Sequence, residues 1–171
     1  FLVAGKAGCG KNEVADIIKN NLGNTVITSF SKYIKLFTLE LTNWDGSDIT
    51  KPREYLQNMG DKLRAIDENF LTNRLLEDIK VYESEGISNV VISDVRLKKE
   101  INDLKKAYPN LILVHINRPF FDNGLTEEQK RHPTEIDLDD FDNFDIEIEN
   151  TTLDKLKETA LKIYNENESG E

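Results

Sequence analysis

The chain has 171 residues, of which 38% are hydrophobic and 32% charged, and a formal net charge of −10, a balance that suits one globular domain large enough to bury a core. An acidic surface repels nucleic-acid backbones and anionic membranes, so neither is expected as the main partner. One cysteine excludes an internal disulfide and fits a reducing, cytoplasmic compartment, and no apolar run is long enough to span a bilayer or to serve as a signal peptide.

Phe1-Leu2-Val3-Ala4 is a short apolar run, read as a first strand. The chain opens on it without an initiator methionine, so a few residues are expected to precede Phe1. Gly5-Lys6-Ala7-Gly8-Cys9-Gly10-Lys11-Asn12 follows, and then a helical pattern. This is G-x-x-x-x-G-K between a strand and a helix, the context of a phosphate-binding loop. Glycines without side chains let the backbone take positive φ and wrap an anion, successive N–H groups form a nest, and the helix start adds free donors and a positive dipole end. Gly5, Lys6, Ala7, Gly8, Cys9, Gly10, Lys11, Asn12 and Glu13 are therefore the candidate nucleotide-binding run, with the Lys11 charge for the terminal phosphates. The position after the lysine is normally Ser or Thr, a Mg²⁺ ligand; here Asn12 offers an amide oxygen. The alternative is a glycine-rich turn that binds nothing.

A helix over Lys11–Leu22 places Val14, Ile17, Ile18 and Leu22 on one face, and Gly23 stops it. Residues 25–29 form a strand, and 31–41 a helix with Ile34, Leu36, Phe37 and Leu41 as apolar positions. Residues 43–48 read as a loop. Pro52 opens a helix at its first turn, in which Arg53, Gln57 and Arg64 share a face unless Gly60 interrupts it; surface arginines are the plainer reading. Residues 68–84 form a further helix with Leu71, Leu75, Ile79 and Tyr82 inward.

Residues 89–93 are a β-branched run, the mark of a strand buried on both faces of a parallel sheet. It ends at Asp94-Val95-Arg96. A helix over Lys98–Ala107 is stopped by Pro109, and 111–116 form another buried strand. Residues 117–140 are polar and too long for a simple connector, so a functional segment is expected. Phe144, Ile146 and Ile148 alternate with carboxylates, which suits a strand at a sheet edge. Thr151 and Asp154 read as a capping box for a last helix burying Leu153, Leu156, Ala160 and Ile163, with fraying from Asn165 onward. No internal repeat is present.

Strands alternating with helices imply a parallel sheet covered on both faces, in which ligands bind beyond the carboxyl ends of the strands. The glycine loop, Asp94, Arg96, His115, Arg118 and Asn150 all fall at or after strand ends. The N-K-x-D guanine-reading element of GTPases is missing. Arg53, Arg64, Arg96, Arg118 and Arg131 form a second cationic set that a simple hydrolase does not need. They suit transfer between two phosphorylated molecules, which requires in-line positioning and charge neutralisation more than covalent help, and guanidinium forks match phosphate oxygens. Asp94 is a candidate Mg²⁺ ligand beside Asn12, or a helix N-cap for Leu97 onward. Arg118 and Arg131 bracket residues 117–140, read as a lid that closes over the phosphates.

This pattern resembles the bacteriophage-type deoxynucleoside monophosphate kinases, within the phosphate-loop nucleoside monophosphate kinase fold. Their loop reads G-x-x-x-S-G-K-D, close to Gly5–Asn12. Ser29-Phe30-Ser31-Lys32-Tyr33-Ile34-Lys35 is similar to the family's S-F-A-D-x-L-K, with Lys32 in place of the Asp. Arg53-Glu54-Tyr55-Leu56-Gln57-Asn58-Met59-Gly60, with Arg64 beyond it, resembles R-x-x-L-Q-x-x-G. Asp94-Val95-Arg96 matches D-V-R, Arg118-Pro119 and His132-Pro133-Thr134-Glu135 resemble the lid, and Ile148-Glu149-Asn150 resembles I-x-N.

The resemblance implies a three-layer α/β fold with a five-stranded parallel sheet, a helical acceptor-binding region at 31–88 and a lid at 117–140. It implies ATP with Mg²⁺ as donor and a deoxynucleoside monophosphate as acceptor, in a cytoplasmic enzyme (host cytoplasm if phage-encoded). Lys11, Arg96, Arg118 and Arg131 are then catalytic. Phe30, Lys35, Arg53, Gln57, Arg64, Asp94, Arg96, His132 and Glu135 face the acceptor, and Asn150 lies near the donor base. Oligomeric state stays open, a homodimer included.

His115 in a buried strand reads as a core histidine, and two histidines with one cysteine make no zinc site. Asp137, Asp139, Asp140 and Asp142 lack the glycine and terminal glutamate of a calcium loop and read as a solvated face. Trp44 reads as packing. Two further functions compete with the nucleotide kinase: a kinase for another phosphorylated molecule such as phosphomevalonate, and a non-catalytic nucleotide-binding protein.

Overall fold

The computed structural model describes residues 1–168, with side chains through Leu161. In chain order the elements are β1 (Leu2–Ala4), α1 (Lys11–Leu22), β2 (Thr25–Thr28), α2 (Lys32–Leu41), α3 (Arg53–Ile66), α4 (Phe70–Ser84), β3 (Asn89–Val95), α5 (Lys98–Ala107), β4 (Leu113–Asn117), α6 (Glu127–Lys130), α7 (Pro133–Ile136), β5 (Ile146–Glu149) and α8 (Leu153–Glu168). The five strands form one sheet in the order β2-β3-β1-β4-β5, and every pairing is parallel.

The shortest strand holds the centre. β1 pairs with β3 through Leu2 and Ile92 and with β4 through Leu2–Leu113 and Ala4–His115. Its side chains alternate between two cores, as strand geometry demands. Leu2 and Ala4 pack with Phe30, Ile34, Leu71, Leu75, Ile101 and Leu104, so α2, α4 and α5 cover that face. Val3 packs with Val14, Ile18, Val114, Ile116, Ile148 and Leu156, so α1 and α8 cover the other. The sheet is thus flanked by helices on both faces.

Several sequence expectations shift. Strand 4 begins at Leu113, because Leu111 N–H is drawn back to Tyr108 O at 3.2 Å in a turn. Gly60 does not interrupt α3. On α2, Leu36, Phe37 and Leu41 are exposed and only Ile34 and Thr38 are buried, while Tyr82 on α4 is half-buried. Leu153 is 54% exposed. Thr152, not Thr151, serves the start of α8: its hydroxyl accepts the Lys155 N–H at 3.2 Å. Ile163 lies outside the described side chains; α8 itself continues through 165–168, and 169–171 lie outside the described residues.

Residues 117–140 are not a plain loop. They carry α6, closed by a Thr126–Gln129 capping box, and α7, whose first turn is capped by the His132 ring. No described helix is long and apolar enough to cross a membrane.

Candidate functional site

The glycine loop leaves the central strand β1 and enters α1 through backbone that side chains cannot follow. Gly5 has φ +142°, and a Cβ there would sit 2.5 Å from the Ile116 carbonyl oxygen. Gly10 has φ +107°, and its Cβ would sit 2.8 Å from Asn150 Nδ2. Both positions require glycine for conformation and for space.

Lys11 is folded into the loop. Its ammonium donates to Gly5 O at 2.8 Å and Lys6 O at 2.7 Å, and the residue is only 8% exposed. Burial pulls its pKa down to about 8, and the Arg96 charge adds to the depression.

Asp94 and Arg96 stand at the end of β3. Asp94 Oδ1 accepts Phe30 N–H at 2.8 Å, and Oδ2 accepts Ser31 N–H at 3.0 Å and the Ser31 hydroxyl at 2.6 Å. Asp94 therefore caps the approach to α2, not α5. The start of α5 is served by Glu100, whose Oε2 accepts Arg96 N–H at 2.8 Å and Leu97 N–H at 3.0 Å. Glu100 Oε1 also lies 3.5 Å from Arg64 Nη2. This carboxyl is 5% exposed, and burial pushes its pKa up to about 7. Sequence reading missed Glu100, although a glutamate in the third position of a helix is a capping signal.

Arg96 Nη1 is paired with Glu135 Oε1 and also donates to Thr134 O at 3.3 Å. The other oxygen of Glu135 accepts Ala7 N–H, from the glycine loop, at 3.0 Å.

These groups surround a cavity of about 500 Å³. Its lining includes Ala7, Gly8, Gly10, Lys11, Asn12 and Glu13 of the loop and start of α1; Lys35, Lys51, Arg53, Gln57 and Arg64; Asp94, Arg96, Glu100 and Glu135; and the apolar Phe30, Ile34, Leu56 and Leu125. Six basic side chains meet five carboxylates here, in a chain with 22 basic and 32 acidic residues. Positive charge is gathered into this cleft out of an acidic whole.

The cavity brings together most of the residues singled out in the sequence, but not all. Gly5, Lys6 and Cys9 lie outside its lining: Cys9 is buried, and Lys6 reaches Asp139 at 2.7 Å. Asn150 holds the loop from behind, its amide donating to Cys9 O at 2.8 Å. Arg118 donates to Gly8 O at 3.1 Å and lies 3.7 Å over the Phe121 ring, against the outside of the loop. Arg131 ends α6, is exposed and takes no part in the lining. His132 does not face the cavity either; its ring is held by Thr134 Oγ1 and by Asp61 Oδ2 of α3, each at 2.9 Å.

The aspartates after α7 are more than a solvated face. Asp137 accepts Lys98 N–H at 2.7 Å, Asp139 holds Lys6 and Asp140 holds Lys98 Nζ at 2.5 Å. His115 is half-buried and stacked on Phe144 with ring centroids 4.3 Å apart, its pKa lowered by burial. Trp44 donates to Ser47 O at 2.9 Å. Among the described residues no group of three or more His, Cys, Asp or Glu is arranged to hold a metal ion.

The chain is 31% identical over 137 residues to uncharacterized protein ORF77 of Ictalurid herpesvirus 1 (strain Auburn), a match covering 78% of this chain and 57% of that protein. The chain thus spans little more than half the length of this relative. No family model matches the chain.

Proposed function

We propose that the protein is a phosphate-loop kinase that transfers the terminal phosphoryl group of ATP to a nucleoside monophosphate, a deoxynucleotide by its resemblance to the bacteriophage-type kinases. The observation that carries this reading is the composition of the cavity: one lining holds the glycine loop with Lys11 and also Arg53, Arg64 and Arg96. Two anion-binding sets in one cleft suit two phosphorylated ligands. In this reading α2 to α4 form the acceptor region and 117–140 the lid.

The residues fit a nucleotide polyphosphate. The loop backbone takes positive φ at Gly5, Gly8 and Gly10, the kind of conformation in which successive N–H groups make a nest, and Ala7 N–H already holds the carboxylate of Glu135. They also fit Mg²⁺ in the manner it prefers, with one or two protein oxygens and the remaining places held by water and phosphate. Asn12 and Asp94 both line the cavity, and Asp94 Oδ1 carries one hydrogen bond, which leaves acceptor capacity on that oxygen. The bound ion would neutralise phosphate charge and orient the donor.

The chain's own groups supply positioning and electrostatics. Lys11 and Arg96 both line the cleft, and their charges would offset the negative charge that spreads over the transferred phosphoryl. Arg53 and Arg64 hold the acceptor phosphate, and Phe30, Ile34 and Leu56 offer an apolar wall to its base, with the Gln57 amide beside them. A phosphate acceptor needs no strong general base near neutral pH.

The deciding experiment is ADP release from MgATP with deoxynucleoside monophosphates, ribonucleoside monophosphates and phosphomevalonate as acceptors. Stimulation by one or more nucleoside monophosphates is expected and names the substrate. Stimulation by phosphomevalonate alone moves the assignment to a different small-molecule kinase. ATP binding without stimulation by any acceptor removes the kinase assignment.

A further inference from the structure

We propose that Glu135 is an internal anion: in the ligand-free chain its carboxylate occupies the loop N–H and the guanidinium that a polyphosphate takes over on binding, so that ligand entry and release of the 132–140 segment are one event. The inference rests on the reading of the glycine loop as a phosphate site.

The position of this carboxylate is unusual for its segment. Pro133 and Ile136 close by in the chain are exposed, yet Glu135 is 8% exposed. A carboxylate buried to that extent persists only where donors replace water. Its donors are Ala7 N–H at 3.0 Å, 128 residues away in sequence, and Arg96 Nη1. It is also near enough to Lys11 to feel that charge. A loop N–H, a guanidinium and the loop lysine are the three groups an oxyanion would use in a phosphate cradle. Two anions sharing them repel one another, so a polyphosphate that binds the loop displaces Glu135.

The other ion pairs of the segment are weaker. Lys6–Asp139 is at least half exposed on both sides, and Asp140, opposite Lys98, is 79% exposed. Such pairs hold little individually. His132–Asp61 ties the segment to α3 at 2.9 Å, with Asp61 52% exposed. The end of the segment is also held by Asp137, which accepts Lys98 N–H at 2.7 Å, and by Leu138 packed against the core, so Glu135 is the buried fastening of its start. Once its place is taken, the segment loses its hold on the loop and on Arg96 together, and Arg96 is freed to meet phosphate.

The test is calorimetric titration of inorganic tripolyphosphate into the wild-type chain and into Glu135→Gln, with amide hydrogen exchange of the 132–140 segment followed in the wild type. The neutral amide of Glu135→Gln no longer competes as an anion. It is expected to bind tripolyphosphate about tenfold tighter, the factor that follows when about nine in ten free molecules hold the carboxylate in the loop. In the wild type, exchange in 132–140 is expected to speed up when tripolyphosphate binds. Equal or weaker binding by Glu135→Gln, with exchange in the wild type unchanged, overturns the inference while leaving the phosphate loop intact. Should the variant fail to fold, the wild-type exchange decides alone. Failure of both chains to bind tripolyphosphate overturns the phosphate-loop reading itself, and this inference with it.

Discussion

Gly10 and Asn150 occupy each other's space: a Cβ on Gly10 would lie 2.8 Å from Asn150 Nδ2, and the same amide donates to the neighbouring Cys9 carbonyl at 2.8 Å. Asn150, the residue that follows the edge strand β5, thereby braces the loop. Gly10→Ala is expected to abolish ATP binding, because backbone at φ +107° and the lost clearance both oppose a methyl group. Asn150→Ala leaves the buried Cys9 carbonyl without its partner and should lower stability by about 1–3 kcal/mol, read as a shift in urea midpoint. An Asn150→Ala chain with unchanged midpoint removes the bracing role.

Lys11→Ala and Arg96→Ala test the centre of the cleft. Each is expected to reduce kcat by on the order of 10²–10³, the range seen when one group that stabilises transition-state charge is removed. They should differ in stability. Arg96→Ala strips the guanidinium from buried Glu135, and breaking a buried pair costs about 3–5 kcal/mol, so its urea midpoint should fall well below that of Lys11→Ala. Near-normal turnover in either variant would sink that residue's assignment.

The proposed acceptor contacts are tested by Arg53→Ala and Arg64→Ala. Both side chains line the cavity from α3. Each should raise the KM for the monophosphate about tenfold or more, as loss of a charge-assisted hydrogen bond worth about 1.5–3 kcal/mol implies, with the KM for ATP unchanged. A rise in the ATP KM instead would place these arginines on the donor side.

Glu100 predicts a slope in stability against pH. Its carboxyl titrates near 4.5 when unfolded and at about 7 in the fold. Between those values the folded state binds more protons, so stability falls as pH rises from about 4.5 to 7. The contribution is at most about 3 kcal/mol, from 1.36 kcal/mol per unit of pKa difference. Glu100→Gln cannot titrate and should flatten this part of the profile; an unchanged slope in urea unfolding at pH 5, 6 and 7 refutes the assignment.

The sequence announced the sheet because each signal was local. The β-branched run at 89–93 read as an interior strand, and Ile146 and Ile148 alternating with carboxylates read as an edge; β3 and β5 lie accordingly in the sheet. Periodicity also placed Arg53, Gln57 and Arg64 on one face of α3, and all three line the cavity. The contacts that were illegible join distant segments. Nothing near Glu135 in sequence tells that its carboxylate ends at Ala7, and nothing near His132 tells that its ring faces Asp61. The apolar positions of α2 did not tell which of them are buried: α2 meets the core through Ile34 and Thr38 and leaves Leu36, Phe37 and Leu41 exposed.

β5 closes the sheet at one end and, among the described residues, pairs with β4 alone, and an open edge is a template for further strands. Glu147 and Glu149 are both exposed there, two residues apart and so on one face. A second copy of β5 laid alongside, whether parallel in register or antiparallel about Ile148, would bring carboxylate opposite carboxylate, which is unfavourable. The strand that completes the fold is thereby guarded against fibre-like growth through its own edge.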